Sequence, residues 1–192
     1  DLTQSESEIL RRMSHAARYA IRTAERRGVE IREARGDEEK EANFMAFWKI
    51  FEETNARHKL SRYQEAYYRA AISLRGAIES RLFFAMYKNE VIATALILQF
   101  GSQAYYLFAG SKKGFGRLNA PTLTLSVILK KMKAEGCETF DLWGISHEDK
   151  AWAGITAFKT GLGGNDVRSI GAWDLPIHPK AYMFYRTLKR FI

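Results

Sequence analysis

Ala104-Tyr105-Tyr106-Leu107-Phe108-Ala109-Gly110, then Asn119-Ala120-Pro121-Thr122-Leu123, then Glu138-Thr139-Phe140-Asp141-Leu142-Trp143 together decide how this chain folds. The first and last of these are rich in aromatic and apolar residues and read as strands. Between them, Gly110 to Leu118 reads as a loop. A helix follows, with Asn119 in the capping position and Pro121 in the first turn, and Gly136 ends it. Strand, loop, helix, strand is a βαβ unit, whose two strands run parallel through a right-handed crossover.

Upstream, Leu82 to Tyr87 and Val91 to Phe100 are apolar and β-branched runs separated by Lys88-Asn89-Glu90, the signature of a hairpin. With Ala104 to Ala109 they form a three-stranded antiparallel meander that feeds the crossover. Ser5 to Glu8 has capping-box spacing and opens one long basic helix running to Gly28. Val29 to Ala34 reads as a short strand. Asp37 opens a helix whose Phe44, Phe47, Trp48 and Phe51 share one face, and a further helix spans Tyr63 to Leu74. After the crossover come a short helix near Ala151 to Thr160, a last strand from Asp166 to Trp173 and a closing helix from Pro179 to Ile192. The expected class is α/β (α+β), a mostly antiparallel mixed sheet flanked by helices. Residues 1–28 form a basic amino-terminal helix, 29–178 the main domain and 179–192 the carboxy-terminal helix.

The 192 residues, 46% of them hydrophobic, suffice for one core. The net charge of +8 is clustered: Arg11 to Arg35 holds eight Arg against three Glu, and Lys112 to Lys133 holds six basic residues and no acid. Such clusters either solvate helix faces or meet a polyanion. A lone Cys137 forms no intramolecular disulfide, and no stretch approaches the roughly 20 apolar residues of a membrane span. A cytoplasmic protein is expected, with its basic surface able to rest on the inner membrane face. His15, His58, His147 and His178 are scattered without metal-ligand spacing, so no metal and no other cofactor is expected.

Several motifs combine: Tyr106 to Ser111, Asn119 to Leu123, Lys133 to Cys137, Thr139-Phe140-Asp141-Leu142-Trp143-Gly144-Ile145, Ala157-Phe158-Lys159-Thr160-Gly161-Leu162-Gly163-Gly164 and Ile170 to Pro176. In these the chain resembles the FemABX family of non-ribosomal peptidyltransferases, which build the interpeptide bridges of peptidoglycan. The resemblance is to the carboxy-terminal of two GNAT-like domains and covers nearly the whole sequence, about half of a usual member. The short passage from Gly76 to Arg81 leaves no room for the coiled-coil arm of some members.

The resemblance implies an acyltransferase that moves an amino acid from aminoacyl-tRNA to the stem peptide of a nucleotide- or lipid-linked muropeptide, working with a first GNAT-like domain that this chain lacks. It places Phe158 and Lys159 at the transferring centre, Lys159 beside the developing oxyanion. By position alone, Lys159 is also a helix-terminal lysine facing a dipole. Arg62, Tyr67 and Tyr68 fall where members hold the nucleotide-linked precursor, with spacing that departs by one residue, and aromatic packing is the other reading of the tyrosines. Gly161, Gly163 and Gly164 suit either backbone approach to substrate or a plain turn. Arg22, Arg26 and Arg27 on the basic helix, with Lys112, Lys113 and Arg117 in the glycine-bearing loop, are the candidates for tRNA phosphates. Two other readings stay open: a GNAT-fold acyltransferase with another acyl donor or amine acceptor, and a non-catalytic module that binds tRNA or a partner chain.

Overall fold

The computed structural model describes residues 1–58, 63–171 and 173–189. Strands β1 (Glu30–Ala34), β2 (Ile78–Tyr87), β3 (Glu90–Phe100), β4 (Gln103–Ser111) and β5 (Thr139–Asp141) form one sheet in sequence order. β1 to β4 pair antiparallel, and β4 pairs parallel with β5. The meander and its single parallel crossover are therefore present. The β2–β3 turn closes on Lys88 and Asn89, both at positive φ, as a two-residue turn matched to strand twist needs.

Helices cover both faces. On one lie α2 (His15–Arg26) and the crossover helix α6 (Ala120–Ala134), burying Ile21 and Ala24 with Leu125, Ile128 and Met132 against Phe83, Ala95 and Ile97. On the other lie α4 (Phe44–His58) and α5 (Glu65–Ile72), where Phe44, Phe47, Trp48, Phe51, Tyr68 and Ile72 meet Leu82, Phe84 and Leu96. Leu82 and Phe84 thus face one way and Phe83 the other, the period-two rule of a strand buried on both sides. At one end of the sheet Arg81 is buried between Glu33 (2.7 Å) and Glu135, and Lys131 reaches both acids at 3.3 and 3.0 Å. That network ties β1 and β2 to α6, and because one cation left alone there would be a buried unpaired charge, its members are interdependent.

Four local expectations are corrected. The basic helix is two helices, α1 (Glu6–Arg12) and α2, because Ser14 caps α2 by accepting from Ala17 N (3.1 Å) while its own N–H donates to Gly161 O (2.8 Å). The helix expected from Asp37 is likewise α3 (Gly36–Ala42) followed by α4. Asn119 stands in the cap position of α6 but is left-handed, φ 55°, and its side chain makes no capping bond. The segment expected as a last strand from Asp166 pairs with nothing, so no strand forms among its described residues. It leads into α8 (Pro179–Leu188), and the chain from Val167 to Leu188 buries no large apolar side chain.

Candidate functional site

The carboxyl end of β5 carries the constellation. β4 and β5 pair only from Gln103↔Thr139 to Tyr105↔Asp141, so β4 runs on to Ser111 with no neighbour from β5. Just past the last pair β4 bulges: Leu96 pairs with Phe108 and Ile97 with Tyr106, leaving Leu107 without an opposite residue. A bulge at a strand's open edge re-aims backbone groups away from the ladder. Here it does so where two parallel strands part.

β5 stops after three residues for a local reason. Asp141 Oδ1 accepts from Trp143 N (2.6 Å), and Trp143 takes a left-handed conformation, φ 65°, which no ladder accommodates. The chain then runs to the short helix α7 (Ala153–Thr160) and is strapped to it twice. Thr156 Oγ1, buried, donates to Ser146 O (2.8 Å) and accepts from Ser146 N (3.1 Å). Lys159 Nζ donates to Gly144 O at 2.7 Å. Partial burial pushes the Lys159 ammonium below the usual lysine range, and the Asp141 carboxylate opposes that shift. Asp141, Trp143, Gly144 and Lys159 thus form one unit, with a half-buried cation at its centre. An ammonium has three donors, and Gly144 takes one.

Other expected site residues fall elsewhere. Phe158 turns its ring into the core on the α2–α6 face. Gly161 and Gly163 face the α1–α2 junction: Gly161 O receives Ser14 N, and a Cβ on Gly163, whose φ is +81°, would collide with the Arg12 carbonyl. Gly164 has open space around its Cα. The tyrosine pair is split by the 100° step of its helix. Tyr68 is buried with its ring 4.8 Å from both Phe51 and Phe108, whereas Tyr67 is half exposed, 4.4 Å from Tyr63 and 6.3 Å from Phe108. Arg62 lies outside the described residues.

The basic candidates are joined at one point. Arg22, Arg26 and Arg27 are exposed along the end of α2, and the Arg27 guanidinium donates to Arg117 O, joining that helix to the loop after β4. Lys112 is engaged by Glu90, Lys113 N donates to Glu53 Oε1 (2.7 Å), and the side chains of Lys113 and Arg117 are exposed. Arg27 and Arg117 thus meet beside α2, whereas Lys113 is tied to Glu53 of α4; the tyrosines lie on the α4–α5 face, and Lys159 near the end of β5.

The grooves of about 660 and 450 Å³ flank β1, the far edge of the sheet, and contain none of these residues. Among the described residues no three His, Cys, Asp or Glu side chains gather as metal ligands, and no helix is long and apolar enough to cross a membrane. Trp143, directly before Gly144 in the motif, and Tyr105, whose ring it meets edge to face, stand at the same strand end and were not among the expected site residues.

A family model, that of the FemAB family, matches residues 1–76 and 75–190. No curated protein matches the chain. Among solved structures, FemX superposes with a TM-score of 0.73 at 15% identity over 84% of this chain and 56% of its own, so the chain spans little more than half of FemX. The ribosomal-protein-S18-alanine N-acetyltransferase from Escherichia coli gives 0.58 at 14% identity, over 73% of this chain and 79% of its own. An aminoglycoside acetyltransferase from an uncultured soil metagenomic sample gives 0.56 at 12% identity, over 77% and 95%. At these identities the structural matches show the fold, which is GNAT-like.

Proposed function

The chain belongs to the FemAB family, and on that premise we propose that it transfers an aminoacyl group from aminoacyl-tRNA to the stem-peptide amine of a peptidoglycan precursor. Lys159 supplies the charge that the reaction needs. The neutral amine attacks the ester carbonyl, the C–N bond forms, the carbonyl oxygen becomes an oxyanion, and collapse breaks the C–O bond to the ribose. The proton lost by the amine ends on the ribose hydroxyl. Only the oxyanion requires protein charge, and a preorganised cation in a partly dehydrated site stabilises it most. The observation that carries this reading is Lys159 itself, half-buried, fixed on Gly144 O at 2.7 Å and set where β4 and β5 part.

The same reading gives the other surfaces their roles. Arg22, Arg26, Arg27, Lys113 and Arg117 form a basic face for tRNA phosphates, supported by the junction of Arg27 with Arg117 O. Tyr67, half exposed beside Phe108 on the opposite face of the sheet, is the tyrosine available to the muropeptide. The acceptor, nucleotide- or lipid-linked, lies between this unit and the first GNAT-like domain, on the cytoplasmic side of the membrane.

Lys159→Met in the enzyme with its first domain lowers transfer about 100- to 1000-fold, the range for loss of one oxyanion donor, with thermal unfolding unchanged. Transfer within about threefold of wild type removes Lys159 from the chemistry. The pH profile gives a second check. Because burial lowers the Lys159 pKa, the cation is lost on raising pH sooner than an ordinary lysine would be, so kcat falls on an alkaline limb that Lys159→Met lacks.

A further inference from the structure

We propose that Trp143 is the platform on which the adenine of the aminoacyl donor stacks, holding the ester carbonyl against Lys159. This rests on the role assigned to Lys159, and it adds the residue that recognises the donor's nucleoside.

Four non-glycine residues have positive φ among the described residues: Lys88, Asn89, Asn119 and Trp143. The first two form the hairpin turn that needs this geometry, and asparagine tolerates it. Neither reason applies to Trp143, for a bulky residue is a genuine outlier there. Nor does packing offset the strain, because the residue is 55% exposed. Strain that the fold does not use for its own packing points to a function for the residue that bears it.

The indole is also held in place. Its backbone N–H is anchored on Asp141 at 2.6 Å, and its ring meets Tyr105 edge to face, with centroids 6.3 Å apart and planes at 82°. The next residue, Gly144, takes the Lys159 bond. An exposed aromatic on a fixed frame can stack a base, and which base reaches it is set by where the reacting carbonyl must lie.

Aminoacyl-tRNA and acyl-coenzyme A both carry adenine. In aminoacyl-tRNA the ester sits on the terminal adenosine's own ribose, so base and carbonyl are one sugar apart. In acyl-coenzyme A the whole pantetheine arm separates them. With Trp143 adjacent in sequence to the Lys159 anchor, the platform fits the aminoacyl-adenosine.

The test titrates the full chain and its Trp143→Phe, Trp143→Ala and Trp143→Gly variants with a 3′-amide-linked aminoacyl-adenosine, and in parallel with coenzyme A, by tryptophan fluorescence and calorimetry. Wild type binds the aminoacyl-adenosine. Trp143→Phe stays within about fivefold, and Trp143→Ala and Trp143→Gly lose about 5- to 100-fold, the value of one stacked base. Glycine also relieves the backbone strain, so Trp143→Gly melts about 2–4 °C higher while binding worse, a trade-off that a merely structural tryptophan would not show. Unchanged binding by Trp143→Gly, absence of binding by wild type, or a Trp143-dependent preference for coenzyme A each overturn the proposal. Failure of the Lys159 reading looks different: Lys159→Met then transfers normally while the Trp143 variants still lose the adenosine.

Discussion

Two stretches of this chain read alike in sequence and end differently: Glu90–Phe100 and the segment from Asp166 onward. In the first, Ile92, Ala93, Ala95, Leu96 and Ile97 are buried between helices on both faces of the sheet. In the second, Trp173, Leu175 and Ile177 alternate with Asp174 and Pro176 as a strand's residues would, yet each is more than 80% exposed. Hydrophobic periodicity records a demand for a partner and says nothing about whether this chain contains it. β3 meets two neighbouring strands and two helix layers. Among its described residues the later segment meets the body through an exposed link, His147 to Asp166 at 2.8 Å, and its own α8 through Tyr182 and Asp174.

The contrast is broken or sharpened first by truncating one leucine in each stretch. Leu96→Ala removes a fully buried side chain shared by β2 and the α4–α5 layer, and costs about 2–5 kcal/mol by loss of transfer energy plus a cavity. Leu175→Ala, in the same chain, stays within about 0.5 kcal/mol because its side chain already touches water. Chemical denaturation of both variants decides it. A cost above about 1 kcal/mol for Leu175→Ala would mean that the segment packs on the body in solution.

The boundary between the regions is the glycine turn after α7, and there two adjacent glycines should behave oppositely. Gly163→Ala must place a Cβ into the Arg12 backbone at φ +81°, so either the turn or the α1–α2 junction moves, at a cost of at least about 2 kcal/mol. Gly164→Ala, with nothing near its Cα and no positive φ, is close to neutral. Equal melting temperatures would show that the turn does not grip the junction.

The same contrast explains what could be read from sequence. The hairpin at Lys88-Asn89, the aromatic face of α4 and the crossover through α6 are legible because each is set by a local pattern, turn chemistry or a 3.6-residue period. The break at Met13-Ser14 is not, since it depends on Gly161 O more than a hundred residues away. Tyr67 and Tyr68 look equivalent in sequence, and only the helix phase sends one to the core and the other to the surface. Lys159 is singled out only by its motif, for a helix-terminal lysine before glycine is commonplace. Trp143 went unread because its backbone strain leaves no mark in residue type, beyond the oddity of tryptophan where glycine or asparagine would be at ease.

The smallest expected effect belongs to the boldest change, removal of residues 166–192. None of the large apolar residues from Val167 to Leu188 contributes to either core cluster. Among the described residues what is lost is the His147–Asp166 contact, between side chains 63% and 54% exposed, and surface pairs of that kind contribute about 0–1 kcal/mol. The shortened chain should therefore unfold within about 1 kcal/mol of the full one, with the same denaturant slope less the small part due to the tail. It should also bind less of an apolar dye, because Trp173, Leu175, Ile177 and Phe184 are the surface such a dye would find. A shortened chain destabilised by several kcal/mol would show that the body needs the tail, and that burial in the first region is completed by the second.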